Sequence, residues 1–214
     1  APTARLEVVA VTGTNGKTSC SQWIAQGLHA AGRRAAVVGT LGAGRLVDDS
    51  DGGGSAVALE DTGLTTPDAL SMQALFARFA ADGVGAVAIE ASSIGLHQHR
   101  LDGTRIAVAA FTNLTRDHLD YHGDMERYAA AKARLFQSLS NSSHAIVNAD
   151  DPAGELIALN AGAALWISGY VSDLRSGLRC RVVLRLFVPR LCTVKIQHRK
   201  LAALSRTQRL GRRC

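Results

Sequence analysis

The sequence predicts an α/β fold, a mostly parallel sheet with helices on both faces. Three observations carry this. Short runs rich in Val, Ala and Ile alternate with longer stretches of helical periodicity between residues 6 and 148. The short runs are continuously apolar, as strands covered on both faces are. The first run feeds directly into a glycine loop that opens a helix. Hydrophobic residues make up 47% of the 214-residue chain and aromatics only 5%, so Ala, Val and Leu supply the core. Small side chains of this kind suit close helix–sheet packing.

Each element has its own signal. Leu6–Thr12 is an apolar run ending at the glycine loop, a first strand. Lys17–Ala31 is a helix that stops near Gly32. Arg34–Thr40 reads as a second strand. Leu41–Leu64 is rich in Gly and Asp, including Asp51-Gly-Gly-Gly54, and is expected to be a mobile loop or a hairpin. Pro67–Asp82 is helical, with Pro67 in the first turn, where a missing N–H costs little. Gly85–Glu90 and Arg105–Thr112 are buried strands, Asp124–Leu139 is a helix, and His144–Asn148 is a further strand.

In parallel sheets, ligands gather at the carboxyl ends of the strands. Four polar clusters follow strands here: Gly13–Thr18, Glu90 with Ser92 and Ser93, Thr112–His118 and Asn148–Asp151. The topology therefore brings all four to one edge.

The chemistry of these clusters is that of a bound nucleotide. Gly13-Thr-Asn-Gly-Lys-Thr18 offers clustered backbone N–H groups, a helix N-terminus, the Lys17 charge for outer phosphates and the Thr18 hydroxyl for Mg²⁺. The general pattern G-x-x-x-x-G-K-[ST] would place Gly at position 11, where Val11 stands, so this loop is tighter. Glu90, at a strand tip, suits a carboxylate that holds the metal, against the alternative of a solvated strand end. Lys132 shares a helical stripe with Met125, Tyr128, Ala129, Leu135, Phe136 and Leu139. A lysine on an apolar face either snorkels or loses its proton, and a neutral amine can take up CO₂ as a carbamate. Asp117-His-Leu-Asp-Tyr-His122 invites a zinc reading, but its Asp/His mixture beside the loop favours Mg²⁺ and phosphate. Asp117 or Asp120 could alternatively cap a helix. In His97-Gln-His99-Arg100, Gln98 and Arg100 favour an anionic substrate over a metal.

Taken together, Gly13–Thr18, Thr65-Thr-Pro67, Glu90–Arg100, Phe111–Gly123, Ala130–Phe136 and Val147–Pro152 resemble the Mur ligases, and among them the MurE type. These are ATP-dependent amide ligases of peptidoglycan synthesis, built on a P-loop NTPase-like central domain. The resemblance spans about residues 6–168. It implies that Gly13, Thr14, Asn15, Gly16, Lys17 and Thr18 bind ATP, with Asn113 and Asn148 near the nucleotide. It implies metal ligation by Thr18, Glu90, His118 and a carbamylated Lys132, and catalysis by Lys17, Glu90, His118 and Lys132. Thr65, Thr66, Ser92, Gln98 and Arg100 would contact a UDP-MurNAc-peptide. The implied cofactors are ATP and Mg²⁺, and the implied partners are that peptide and an amino acid. The implied reaction forms an acyl phosphate on the D-Glu side chain, which the amine of the incoming amino acid then attacks. Ile94 departs from the pattern, since many MurE sequences carry His after the two serines. Folylpolyglutamate and cyanophycin synthetases are the alternatives within the superfamily. Ser92-Ser93, Gln98-His-Arg100 and Asp117–Gly123 favour the MurE type.

Charge divides the chain. Tyr170–Cys214 holds ten Arg, two Lys and one Asp, whereas residues 1–169 hold 12 basic and 17 acidic residues. The expected organisation is a central ATP-binding domain over 1–169, itself incomplete, and a basic tail over 170–214 that does not match the family. The tail reads as frameshifted or disordered rather than as a nucleic-acid arm, although a nucleotide-dependent nucleic-acid module is the rival class. Cys20, Cys180, Cys192 and Cys214 form no C-x-x-C pair and read as free thiols. With no signal peptide and no apolar stretch of about 20 residues, a cytoplasmic monomer away from membranes is expected. The chain alone is not expected to complete ligation.

Overall fold

The computed structural model describes residues 2–48, 55–57, 59–148, 150–159, 161 and 164–168. Asp51–Gly54, Cys180, Cys192, Cys214 and the basic segment 170–214 lie outside the described residues. A 3-10 turn, Pro2–Ala4, leads into β1 (Glu7–Thr12) and α1 (Lys17–Ala30). There follow β2 (Ala35–Gly39), β3 (Gly42–Asp48), β4 (Ser55–Val57), α2 (Ala69–Ala81), β5 (Ala86–Glu90) and α3 (Ser93–His97). The remainder comprises β6 (Ile106–Phe111), α4 (Leu119–His122), α5 (Met125–Gln137), β7 (His144–Asn148), α6 (Pro152–Leu159) and β8 (Ala164–Ser168).

The strands form one sheet in the order β4-β3-β2-β5-β1-β6-β7-β8. From β2 to β8 all neighbours are parallel, and β3 and β4 extend one edge antiparallel. The segment expected as a loop or hairpin is therefore two antiparallel hairpin steps off β2.

Period-two alternation splits the strand residues between two cores. Ala35, Val37, Ala86 and Ala88 face α1 through Ala25 and Leu28. Val8, Ala10, Ala36, Val38, Val87 and Ile89 join Met72, Phe76 and Phe79 of α2 and Leu135 and Phe136 of α5. Alanines let α1 approach closely, while large side chains fill the opposite layer. Phe76, Phe136 and Met72 are fully buried, and each such burial contributes roughly 1.5–3 kcal/mol. Helices on both faces of a mostly parallel sheet agree with the sequence expectation.

Two boundaries differ from that expectation. Pro67 lies outside α2, because Asp68 takes the cap and accepts from Leu70 and Ser71 N–H at 3.0 Å each. The short helices α3 and α4 fall within stretches that the periodicity left unassigned.

Candidate nucleotide and metal site

Strand register builds the site. Val11 of β1 lies opposite Glu90 of β5, and Thr12 lies opposite Phe111 of β6. Gly13, Glu90 and Thr112 therefore leave the sheet at one edge, together with the end of β2.

The loop is braced from β6. Gly13 has φ +147°, and a Cβ there would overlap the Thr112 hydroxyl oxygen, so only glycine allows this crossing. Thr14 N–H donates to the Asn113 carbonyl at 2.8 Å and Asn15 N–H to Asn113 Oδ1 at 2.9 Å. Thr112 Oγ1 donates to the Asn15 carbonyl at 2.7 Å. Gly16 then caps α1, whose first N–H groups have no acceptor within the helix and carry the positive end of its dipole.

Two lysines converge on one carbonyl. Lys17 Nζ donates to the Gly13 and Thr14 carbonyls, both at 2.9 Å, and Lys132 Nζ donates to the Gly13 carbonyl at 2.8 Å. Lys132 is 1% exposed, so it does not snorkel. Burial, reinforced by the Lys17 charge and opposed by Asp117, lowers its pKa to about 7. Burial also lowers the Lys17 pKa, against the opposing pull of Glu90 and Asp117. The Lys132 ammonium position lies 4.3 Å from the Tyr128 ring centre. Tyr128, fully buried, places its hydroxyl 3.0 Å from Thr14 Oγ1. Thr14 gives its own proton to the Thr115 carbonyl at 3.2 Å, which leaves Tyr128 as the donor between them.

Glu90 is 1% exposed and heavily hydrogen-bonded. Thr18 Oγ1 donates to Oε2 at 2.9 Å, Thr40 N–H donates to Oε1 at 2.9 Å, and Thr40 Oγ1 donates to Oε2 at 3.2 Å. Carboxylate and hydroxyl oxygens are the hard donors Mg²⁺ prefers, and Mg²⁺ takes its remaining ligands from water and phosphate. Among the described residues, no group of three or more His, Cys, Asp or Glu side chains converges as a metal cluster.

The neighbouring run is tied to Glu90 through its backbone. Thr66 Oγ1 donates to the Glu90 carbonyl at 2.8 Å and accepts from Ser92 N–H at 2.9 Å. Ser92 Oγ caps α3 by accepting from Gly95 N–H at 3.0 Å. Arg100 Nη1 donates to the Thr66 carbonyl at 2.7 Å, while its Nε and Nη2 hold Gln98 Oε1 at 3.0 and 2.6 Å.

His118 has φ +51° and accepts no capping role for its side chain. The alternative reading, in which Asp117 or Asp120 caps a helix, does not hold for α4, which has no side-chain cap. Asp117 instead accepts from His118 N–H at 2.9 Å, with its other oxygen 3.5 Å from His118 Nε2. His122 is buried with Nε2 3.0 Å from Ser93 Oγ, and burial lowers its pKa.

A cavity of about 350 Å³ unites most of these groups. Thr14, Asn15, Gly16, Lys17 and Thr18 line it from the loop, and Glu90, His118 and Lys132 from the sheet edge and helices. Thr65, Thr66, Ser92 and Arg100 line its other side. Gly13 is not among the lining residues and meets the site only through the carbonyl that Lys17 and Lys132 share. Asn113 stands behind the loop as its brace, Asn148 donates to the Thr112 carbonyl at 2.8 Å, and Gln98 is exposed on Arg100. Sequence reasoning missed Thr40, although the rule of strand carboxyl ends, applied to β2, points to it. It also missed the Tyr128 hydroxyl, which no spacing reveals. Ile94 lines the cavity as well. A second cavity, of about 320 Å³, opens at the opposite ends of the strands beside Arg5 and Arg105, remote from these groups.

The sheet, the glycine loop and the Thr18–Glu90 pair define a domain of the P-loop nucleotide-binding class. Within that class, residues 11–169 match the Mur ligase middle domain, and the chain belongs to this family. A UDP-N-acetylmuramoyl-L-alanyl-D-glutamate–2,6-diaminopimelate ligase of Ralstonia nicotianae is 55% identical over 159 residues, 73% of this chain and 29% of that protein. The ligase of the same name from Coxiella burnetii is 46% identical over 172 residues, 80% of this chain and 33% of that protein. The chain thus spans about a third of the length of the curated relatives it matches. A solved structure of such a ligase superposes with a TM-score of 0.67 at 40% identity, over 78% of this chain and 33% of that one. E. coli FolC in complex with DHPP and ADP gives a TM-score of 0.53 at 22% identity, covering 80% of this chain and 47% of that one, a likeness of fold alone.

Proposed function

We propose that residues 1–169 supply the ATP-binding domain of an amide ligase that adds the third amino acid to UDP-MurNAc-L-Ala-D-Glu in peptidoglycan-precursor synthesis. By extension from the named relatives, the incoming amine is that of 2,6-diaminopimelate. The observation that carries the reading is the 2.9 Å bond from Thr18 Oγ1 to the buried Glu90 carboxylate, at the mouth of the loop bearing Lys17.

In this reading the D-Glu side-chain carboxylate attacks the terminal phosphorus of ATP, the bridging P–O bond breaks, and ADP leaves. The amine nitrogen then attacks the acyl carbon and gives up a proton to solvent, and inorganic phosphate departs with the C–O electron pair. Lys17 turns from the loop carbonyls to the phosphates and offsets the charge that builds on the transferring group. The α1 N-terminus orients the same phosphates. Thr65, Thr66, Ser92, Gln98 and Arg100 hold the muramoyl-peptide against the loop, with the Arg100 fork suited to its anionic groups. Thr18 and Glu90 would hold one Mg²⁺, and His118 with a carbamylated Lys132 a second, adding positive charge beside the phosphates. The lowered Lys132 pKa supports the carbamate, because only an unprotonated amine adds to CO₂.

Calorimetric titration of the whole chain with AMPPNP tests this. Binding is expected in Mg²⁺ and is expected to weaken about 10–100-fold in Lys17→Met, the loss of a charge-assisted bond. Absence of Mg²⁺-dependent binding in the unaltered chain would overturn the reading.

A further inference from the structure

We propose that Thr40 is a positioning residue that aims the Glu90 carboxylate at the cation and links it to Thr65 on the muramoyl-peptide side of the cavity. This inference rests on the nucleotide and metal reading above.

The carboxylate is pinned at both oxygens. Thr40 N–H holds Oε1 at 2.9 Å, and the Thr40 hydroxyl holds Oε2 at 3.2 Å. The plane of the group is thereby fixed, with Oε2 turned to Thr18 at 2.9 Å. The neighbouring residue makes room for this, because a Cβ on Gly39 would overlap the Glu90 carboxylate. At 1% exposure the carboxylate relies on these protein donors for its aim.

The hydroxyl also reaches Thr65, on the side of the cavity assigned to the muramoyl-peptide. Thr40 Oγ1 lies 3.0 Å from Thr65 Oγ1. A hydroxyl has one proton and two lone pairs. Since the Thr40 proton goes to Glu90, Thr65 must donate to Thr40. Any group that draws the Thr65 hydroxyl away therefore alters the donor that steadies Glu90. Glu90 and the Thr65-Thr66 run thus share one hydrogen-bond line through Thr40, which itself lines the cavity.

The test is a Mg²⁺ titration of the whole chain at fixed AMPPNP, followed by calorimetry, with a parallel arm in EDTA. Thr40→Val keeps the shape and the backbone donor but removes the hydroxyl. It is expected to raise the Mg²⁺ concentration for half-maximal binding about tenfold, as loss of a group behind a metal ligand does. Binding in EDTA should stay unchanged, and Thr40→Ser should restore the Mg²⁺ midpoint. Thr65→Val should shift that midpoint in the same direction, and the double variant should not exceed Thr40→Val. An unshifted midpoint in Thr40→Val would overturn the proposal, as would equal loss of affinity with and without Mg²⁺. If the unaltered chain fails to bind AMPPNP in Mg²⁺, the nucleotide reading falls and takes this inference with it.

Discussion

Lys132 is the residue whose surroundings most constrain it. Its amine is buried, lies over an aromatic ring and shares a carbonyl with a second lysine. Its folded-state pKa of about 7 lies below the ordinary value of 10.5. Below about pH 7 both folded and unfolded chains hold the proton, and the fold bears the full cost of a buried charge. Between the two pKa values the unfolded chain binds a proton that the folded chain has released, so stability rises with pH. The melting temperature should therefore increase from about pH 7 to about pH 8.5, and Lys132→Met should flatten that rise. A slope identical in the variant would argue against a neutral amine. Tyr128→Phe probes the other side of the amine. It keeps the ring but removes the donor to Thr14, and should cost about 1 kcal/mol in urea unfolding. The stripe of Met125, Tyr128 and Leu135 made the buried lysine legible in the sequence. The Tyr128–Thr14 and Thr40–Glu90 bonds were not legible, because they join residues 114 and 50 positions apart.

At the scale of elements, legibility followed length and periodicity. α2 and α5, at 13 residues each, carry enough turns to repeat an apolar pattern. α3 and α4, at five and four residues, do not. Their boundaries come from a Ser92 cap and from a left-handed His118, features of local geometry rather than of hydrophobic spacing. β3 and β4 were legible only as a loop or a hairpin among glycines and aspartates, because an edge hairpin needs less apolar character than a central strand. α5 matters most to the site, since it carries both Tyr128 and Lys132. Its N-terminus depends on Asp124, whose Oδ1 accepts from Arg127 N–H at 2.8 Å. Asp124→Ala should destabilise the chain by about 1 kcal/mol, while Asp124→Ser should lose little. Equal melting of the alanine variant and the unaltered chain would show that packing alone holds this helix end.

At the scale of the whole chain, the proposed division is a nucleotide-binding unit over 1–169 and a basic segment, 170–214, that takes no part in it. A chain ending at residue 169 should accordingly bind AMPPNP with the affinity of the 214-residue chain. If the basic segment is instead a nucleic-acid arm, the longer chain should retard DNA or RNA in a salt-dependent way that the shorter one loses. That outcome would favour the rival class over a segment without role. Among the described residues, no helix is long and apolar enough to cross a membrane. The convergence of polar loops on one sheet edge was legible because strand ends obey a topological rule. Strand order was not, because a one-dimensional pattern says which segments pair with something, and not with which.

That order bears on how the domain is made. β1 lies between β5 and β6, and β2, the next strand synthesised, is not its neighbour. The glycine loop therefore has no scaffold on either side until residues 86–111 have emerged from the ribosome. Pairings so distant in sequence close slowly. The phosphate-loop segment is thus translated well before the strands that brace it, and a nascent chain halted before Phe111 would carry its residues without the Thr112 and Asn113 contacts that hold them in place.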